Sequence, residues 1–161
     1  MIIIRLSTLD DADNVWKILE PVIRAGETYT LPRDFTREQS LQYWYSPHHE
    51  VFVAEENGEI LGTYYLRPNQ QGGGSHVANC GYMTASHATG RGVASAMCAH
   101  SLDRARERGF RAMQFNIVIS TNEPAIHLWR KFGFEIAGRL PGAFLHPRHG
   151  YVDAFVMYRK L

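Results

Sequence analysis

The chain has 161 residues, of which 45% are hydrophobic and 20% charged, a composition typical of a globular protein that buries a sizeable core. Seventeen basic and sixteen acidic residues leave a formal net charge of +1. This balance offers no general attraction for nucleic acid or an anionic membrane, so neither is an expected partner. No apolar run approaches the ~20 residues of a membrane span, and the apolar N-terminal segment before Arg5 is too short for the apolar region of a secretory signal. We therefore expect one soluble, cytoplasmic domain over residues 1–161.

Hydrophobic periodicity and turn residues predict strands and helices in alternation along the chain. Apolar residues recur at helical spacing after the acidic run 10–13, in a helix that Pro21 is expected to kink or end. Asn57-Gly58 between two apolar runs indicates a tight hairpin. The predicted elements are strand 2–6, a helix from Ser7 or Thr8, a helix from Thr36 to Pro47, strands 51–55, 60–67 and 76–84, a helix from Val93 to Gly109, strand 112–119, a helix capped by Asn122 and ended by Gly133, and strands 134–139 and 151–158, the last two separated by a loop with Pro141 and Gly142. This order predicts a mixed sheet flanked by helices.

The segment from His87 to Ala94 is a glycine-containing turn that leads into an amphipathic helix. Gly90 and Gly92 can adopt positive φ and let the backbone approach a ligand closely. The first amides of the helix lack intrahelical partners, and the helix dipole and Arg91 add positive potential. These features suit a phosphate or pyrophosphate, while a plain connection between strand and helix is the alternative interpretation.

Two asparagines lie in predicted strands among apolar neighbours, where an unpartnered amide is costly. Asn79 precedes the glycine turn and Asn116 lies in strand 112–119, so each is either a structural hydrogen-bonding group or a ligand contact. The irregular segment 26–33, which carries Glu27 and Tyr29, is either a lid over a site or a surface connection.

Neither a metal site nor a covalent relay is expected. His146 and His149 are separated by a proline and have no third ligand nearby in sequence. Cys80 and Cys98 have no CxxC spacing and no neighbouring base, so buried free thiols in a reducing compartment are the expected state.

The element order and two motifs resemble the GCN5-related N-acetyltransferase (GNAT) superfamily over essentially the whole chain. The first motif, Q/R-x-x-G-x-G/A, occurs as His87-x-x-Gly90-x-Gly92 with histidine in place of the usual first residue. The second, from Asn122 to Phe134, closely follows the family pattern N-x-x-A-x-x-L-Y/W-x-K-x-G-F. The resemblance implies a GNAT fold, which is an α/β fold with a mixed, mostly antiparallel sheet and about four helices, and a homodimer is compatible with it.

The resemblance also implies an acetyl-coenzyme A site. The pantetheine arm would pair with the backbone of Tyr82, Met83 and Thr84 in an opening beside strand 112–119, and an N–H near Tyr82 or Met83 would polarise the thioester carbonyl. Asn122 would bond to the arm, cap its helix, or do both. Trp129 replaces a tyrosine that protonates the leaving thiolate in many members, a role that an indole cannot take, and is expected to pack against the core or the arm. The pyrophosphate would be held by the turn formed by Thr89, Gly90, Arg91, Gly92, Val93 and Ala94.

The asparagines and the 26–33 segment further resemble acetyltransferases that act on L-azetidine-2-carboxylic acid and related proline analogues, with phosphinothricin acetyltransferases a neighbouring possibility. This resemblance implies catalytic roles for Asn79 and Asn116. Arg67, Arg148 or asparagine amides would bind an acidic group of the acceptor. Expected substrate contacts are Glu27, Tyr29 and Tyr65, and the proton acceptor is left open among Glu27, Tyr64, Tyr65, His76, His146, His149 and Asp153.

The function expected from the resemblance is direct transfer of acetyl from acetyl-coenzyme A to the amine of a small molecule, an amino acid or an analogue, without a metal. Two alternatives stay open. A protein N-terminal or lysine acetyltransferase predicts a shallow, acidic peptide groove. A non-catalytic acyl-coenzyme A sensor is consistent with Trp129 in place of the usual tyrosine.

Overall fold

A computed structural model describes residues 1–161 as one seven-stranded sheet flanked by four α-helices. The strands are β1 (Ile3–Leu6), β2 (Glu50–Glu56), β3 (Glu59–Pro68), β4 (Val77–Thr84), β5 (Ala112–Ile119), β6 (Glu135–His146) and β7 (Gly150–Lys160), and the helices are α1 (Ala12–Ala25), α2 (Arg37–Trp44), α3 (Val93–Glu107) and α4 (Glu123–Lys131). The strand order is β1-β2-β3-β4-β5-β7-β6. Only β4 and β5 are parallel neighbours, which confirms the predicted mixed, mostly antiparallel sheet.

Local sequence signals explain where several elements begin and end. Asn57 and Gly58 have φ angles of 52° and 82°, the left-handed conformation that a tight hairpin between β2 and β3 requires. At the start of α2, the Thr36 hydroxyl accepts from the Gln39 N–H and the Gln39 side chain accepts from the Thr36 N–H. The predicted hairpin and helix start are both confirmed.

The two faces of the sheet are covered by different helices. On one face, Tyr64 and Tyr82 direct their hydroxyls to His100 and Ser101 of α3. On the other face, the Trp44 indole of α2 donates to the Thr63 hydroxyl at 3.0 Å. Because side chains alternate along a strand, odd-numbered residues of β3 and β4 face α2 and even-numbered residues face α3.

Pro21 was predicted to kink or end its helix, and the second alternative is wrong, because α1 continues to Ala25 with the proline inside it. Pro21 is exposed, so water can hydrate the Lys17 carbonyl that loses its N–H partner. Ile23 is buried beyond the proline and holds the last turn against the core. The helix ends at Gly26, which has a φ of 64°.

The long loop predicted between the last two strands is also wrong. β6 extends through Pro141 and Gly142 to His146, and only residues 147–149 form the turn. Proline is tolerated because β6 is the edge strand and the register breaks between Leu140 and Phe144. At this break, Gly142 has a φ of 58° and donates its N–H to the Asp153 carboxylate at 2.9 Å.

Candidate active site

An opening in the middle of the sheet forms where β4 and β5 part. The two strands pair only at Val77 with Ala112 and at Ala78 with Met113, although both strands continue beyond these residues. A bulge between Phe115 and Val118 in β5 lies on the flank of this opening. Unpaired backbone groups of both strands therefore face each other across it.

The register between β3 and β4 decides which of these groups face the opening. The Asn69 N–H donates to the Val77 carbonyl and the Ala85 N–H donates to the Leu61 carbonyl, so odd-numbered residues of β4 bond to β3. The backbone groups of Tyr82 and Thr84 consequently point into the opening. Met83 belongs to the β3 ladder, so of the two N–H groups predicted to polarise a carbonyl, only that of Tyr82 is directed there.

The turn that follows β4 presents free amides at the start of α3. Gly90 and Gly92 have φ angles of 81° and 84°, and a Cβ at either position would meet no atom within 4 Å. Glycine is required here by backbone conformation rather than by space. The first bond of α3 joins the Ala96 N–H to the Gly92 carbonyl, which leaves the N–H groups of residues 92–95 without a backbone partner. Four free amides at the positive end of a helix can hold an anion.

The side chains of this turn are engaged elsewhere. Arg91 pairs with Glu56 at 2.6 Å, and the His87 Nε2 lies 2.7 Å from Glu59. The backbone N–H of Arg91 is also engaged, because it donates to the Ala88 carbonyl. Ala88 is the last residue of a short 3₁₀ turn, and Thr89 and Gly90 follow it. An anion at this turn would therefore be held by the backbone of Gly92, Val93 and Ala94 more than by the Arg91 charge.

Aromatic residues line the side of the opening that faces α3 and α4. Trp129 of α4 is 9% exposed and lies against Tyr82 and Phe115, with ring centroids 5.0 and 4.9 Å apart. Asn122 directly precedes this helix, but its side chain makes no capping hydrogen bond. Asn122 is therefore the N-cap residue, as predicted, but only its carbonyl takes part by accepting from the Ile126 N–H, and the side-chain amide is available to a ligand.

The α2 side of the opening carries a polar network at its narrow end. The Asn79 side chain is buried, accepts from the Arg67 Nε at 3.2 Å, and donates to the Gln114 carbonyl at 2.9 Å. Asn116 accepts from the Gln114 amide at 3.0 Å and donates to the side-chain carbonyl oxygen of Asn69 at 2.7 Å. The two asparagines predicted to be catalytic therefore both brace the strands beside the point where they part.

Arg67 is the cation that this network orients. It is half-buried, its side chain hydrogen-bonds only to Asn79, and it forms no ion pair. A half-buried guanidinium without a carboxylate partner is uncommon, because its charge is only partly hydrated. The fork of N–H groups that remains suits a planar anion such as a carboxylate.

The predicted substrate contacts Tyr29 and Tyr65 lie on this same side of the opening. The Tyr29 hydroxyl donates to the Tyr82 carbonyl at 2.8 Å. Tyr65 lies over Gly81, where a Cβ would come within 2.7 Å of its ring, and its hydroxyl is 3.1 Å from that of Tyr43. Burial raises the pKa of Tyr29 and of Tyr65, so both are neutral phenols that donate hydrogen bonds and do not act as bases.

The third predicted contact, Glu27, joins the 26–33 segment to the turn between β6 and β7. Its carboxylate lies 2.9 Å from Arg148, so neither charge is free. Buried His146 accepts from the backbone N–H groups of Arg148 and His149 and thereby holds the shape of this turn. No group of three or more His, Cys, Asp or Glu side chains that could hold a metal occurs in the structure.

Most of the other predicted proton acceptors lie away from the opening or are occupied. Tyr64 bonds to His100 on the α3 face, and burial raises its pKa. His76 is exposed before β4 begins, and Asp153 contacts Arg139 and the Gly142 N–H. Sequence reasoning missed His49, which stacks on Tyr65 with ring centroids 4.0 Å apart. Only its place in the fold, beside β2, could have drawn attention to it.

The two cysteines are not suited to nucleophilic chemistry. Both are buried free thiols. Burial raises the pKa of the Cys80 thiol and raises that of Cys98 to about 12, so neither forms a thiolate near neutral pH.

None of the α-helices combines the length and the hydropathy that a membrane span requires.

Comparison with known proteins identifies the family of this chain. The chain matches the Acetyltransferase (GNAT) family over residues 15–134. It is 28% identical over 151 residues to N-acetyltransferase aca1 of Schizosaccharomyces pombe, covering 83% of this chain and 72% of that protein. It is 34% identical over 109 residues to L-amino acid N-acetyltransferase AaaT of Escherichia coli, covering 66% and 65% of the two chains.

A solved structure matches over nearly the full length of both chains. This structure, a GCN5-related N-acetyltransferase from Kribbella flavida, is 39% identical with a TM-score of 0.95, and the match covers 99% of this chain and 98% of that one. The motifs around Gly90 and Asn122 therefore predicted the fold and the enzyme class correctly. The chain belongs to the GNAT family of acetyltransferases.

Proposed function

We propose that this N-acetyltransferase moves acetyl from acetyl-coenzyme A to the amine of a small amino acid or amino-acid analogue. The observation that carries the proposal is Arg67, a half-buried cation without a carboxylate partner that Asn79 orients beside the opening. A carboxylate placed next to the reacting amine would complete the ion pair that the protein leaves open.

The residues around the opening fit the cosubstrate. The free N–H groups of Gly92, Val93, Ala94 and Ser95 would hold the pyrophosphate, and the outward-facing groups of Tyr82 and Thr84 would pair with the pantetheine amides as a strand does. The Asn122 side-chain amide, which makes no capping hydrogen bond, would bond to the same arm. Acetyl-coenzyme A supplies the activated acyl group, while the Tyr82 N–H polarises its carbonyl.

The charges on the acceptor side favour a small acid over a peptide. Glu27 is neutralised by Arg148, so the space beside Tyr29 and Tyr65 carries the positive charge of Arg67 and no free carboxylate that would attract lysine. The Escherichia coli relative is named for L-amino acid acetylation, which supports the same substrate class.

Direct attack by the amine is the mechanism that these residues support. The high thiol pKa of Cys80 argues against an acyl-cysteine relay. Trp129 cannot donate a proton to the leaving sulfur, but a thiol pKa near 8.5 makes thiolate a tolerable leaving group near neutral pH. We also place the enzyme in the cytoplasm, where free thiols such as Cys80 and Cys98 persist, and a homodimer stays a prediction.

Thiol release in an acceptor panel tests this function. The panel pairs each acid with its decarboxylated amine, for example proline with pyrrolidine and azetidine-2-carboxylate with azetidine, and adds a lysine peptide and a peptide with a free N-terminus. We expect kcat/KM to be at least about tenfold higher for the acid of each pair, since one charge-assisted pair contributes about 1.5–3 kcal/mol. Preference for a peptide would instead indicate a protein acetyltransferase.

Calorimetry with acetyl-coenzyme A distinguishes an enzyme from a non-catalytic acyl-coenzyme A sensor. Binding of acetyl-coenzyme A without thiol release from any amine would identify a sensor and overturn the proposal. Binding together with release from the acids would support it.

Replacing Asn116 by alanine is expected to lower kcat about tenfold and to leave the KM for acetyl-coenzyme A within about twofold. The substitution removes two hydrogen bonds, one to Gln114 within β5 and one to Asn69, which directly follows β3, and each contributes about 1 kcal/mol. Steady-state kinetics with each substrate varied in turn measure kcat and the KM for acetyl-coenzyme A separately. Unchanged kcat and KM would limit Asn116 to a structural role.

A further inference from the structure

Two glutamates lie opposite each other at the end of the hairpin between β2 and β3. The tight turn at Asn57 and Gly58 pairs Glu56 directly with Glu59 across the two strands. Like charges that are directly opposite on neighbouring strands repel each other and destabilise the pairing. Cations beside these two carboxylates therefore stabilise the hairpin end.

The glycine turn that precedes α3 supplies a partner to each carboxylate. The Arg91 guanidinium donates to one oxygen of Glu56 at 2.6 Å, and the His87 Nε2 donates to Glu59 at 2.7 Å. The Met1 ammonium lies 2.9 Å from the other oxygen of Glu56. The hairpin end and the turn are thus joined side by side, with one contact from each glutamate.

Arg91 is adjacent to the amides that the proposed function assigns to the pyrophosphate. It directly precedes Gly92, and the N–H groups of residues 92–95 have no backbone partner. A free guanidinium at this position would add charge-assisted hydrogen bonds to a phosphate. In the structure, however, the only side-chain hydrogen bond of Arg91 is to Glu56.

The charge of Glu56 opposes an anion at the same turn. The Met1 ammonium and, to a smaller extent, Arg91 lower the pKa of Glu56, so this side chain is a carboxylate near neutral pH. Because the carboxylate is in direct contact with Arg91, the two charges largely cancel where the phosphates would lie. Arg91 without Glu56 would present a full positive charge there.

We propose that Glu56 is a counter-ion that limits the affinity for coenzyme A by keeping Arg91 away from its phosphates. This inference rests on the proposed function, which puts the pyrophosphate at the start of α3. Acetyl-coenzyme A and free coenzyme A carry the same phosphates, so the limit applies to cosubstrate and product alike. Weaker binding of the product favours its release after each transfer.

Replacing Glu56 by glutamine frees Arg91 and is expected to tighten binding. Calorimetry at one fixed salt concentration should show the dissociation constants of acetyl-coenzyme A and of coenzyme A falling by the same factor, about threefold to tenfold. Arg91→Gln should raise both constants by a similar factor, because it leaves Glu56 without this cation beside the phosphates. The variant with both substitutions should return to within about twofold of the wild type, since both charges are absent.

Glu50→Gln is the matched control at the other end of β2. Glu50 pairs with Arg104, in the last turn of α3, at 2.5 Å, and its side chain is 22% exposed against 21% for Glu56. The control changes the net charge by the same amount but far from the glycine turn. It should therefore leave both dissociation constants within about twofold of the wild type.

The outcomes separate the counter-ion role from the cofactor site. A Glu56→Gln protein that binds coenzyme A no more tightly than Glu50→Gln does would overturn the role of Glu56 and leave the cofactor site standing. Weaker binding would also overturn it, because that result would show that Glu56 supports the shape of the turn. If the wild-type protein binds no coenzyme A, the cofactor site and the proposed function fail, and this inference fails with them.

Discussion

Substitution of Gly92 by valine is expected to raise the KM for acetyl-coenzyme A about 10-fold to 100-fold. Gly92 has a φ of 84° at the start of α3, a conformation that costs a β-branched residue about 1–3 kcal/mol. Relaxing this strain would rotate the N–H groups of residues 92–95 away from the common point at which they hold the pyrophosphate. Loss of one such bond to a charged group, at about 1.5–3 kcal/mol, sets the expected range. Steady-state kinetics and calorimetry with acetyl-coenzyme A measure it.

Gly109→Val provides a matched control at the other end of the same helix. Gly109 has a φ of 82°, and a Cβ added there, as at Gly92, would meet no atom within 4 Å. The two variants should lose similar amounts of thermal stability, but only Gly92→Val should weaken cofactor binding. Equal KM values for acetyl-coenzyme A in both variants would show that the turn is not part of the cofactor site.

Replacement of Arg67 by glutamine is expected to raise the KM for an amino-acid acceptor about 30-fold to 100-fold, with the KM for acetyl-coenzyme A unchanged. The range corresponds to loss of charge-assisted hydrogen bonds of about 2–3 kcal/mol to the acceptor carboxylate. Arg67→Lys should have an intermediate effect, because an ammonium keeps the charge but cannot bind the carboxylate with a planar fork. Kinetics with one acid and its decarboxylated amine measure the specificity directly.

The decarboxylated amine supplies an internal control, since its poor KM should not deteriorate further in Arg67→Gln. Exposed Arg111, which lies just before β5 and outside the opening, supplies the external control as Arg111→Gln. An equal loss for the acid and its amine would show that Arg67 acts on the fold of the site and not on the carboxylate.

Features of this molecule that depend on neighbouring residues were predictable from the sequence. The Asn57-Gly58 hairpin, the Thr36 helix start and the glycine turn before α3 are each set by the conformations of two to four consecutive residues. The motif from Asn122 to Phe134 then identified the family and with it the fold. Helix ends were less predictable: Pro21 lies inside α1 because the carbonyl it leaves unpaired is exposed to water.

Contacts that depend on strand register were not predictable. Arg67, Asn79 and Gln114 come from three strands, and their hydrogen bonds exist only because β3, β4 and β5 pair in one particular register. The same register removes Met83 from the opening and leaves Tyr82 facing it. His49 lies outside every motif, and its stacking on Tyr65 likewise exists only in the folded chain.

The parting of β4 and β5 also affects how this protein meets other chains. It leaves two unpaired strand edges in the interior of a sheet, and unpaired edges are the usual starting points for unwanted association between chains. The bulge beside Asn116 and the Tyr29 hydroxyl on the Tyr82 carbonyl obstruct part of this surface. On the proposed function, the pantetheine arm covers the remainder, so the cosubstrate acts as a missing strand that protects the enzyme. The molecule is then most vulnerable to aggregation when coenzyme A is scarce.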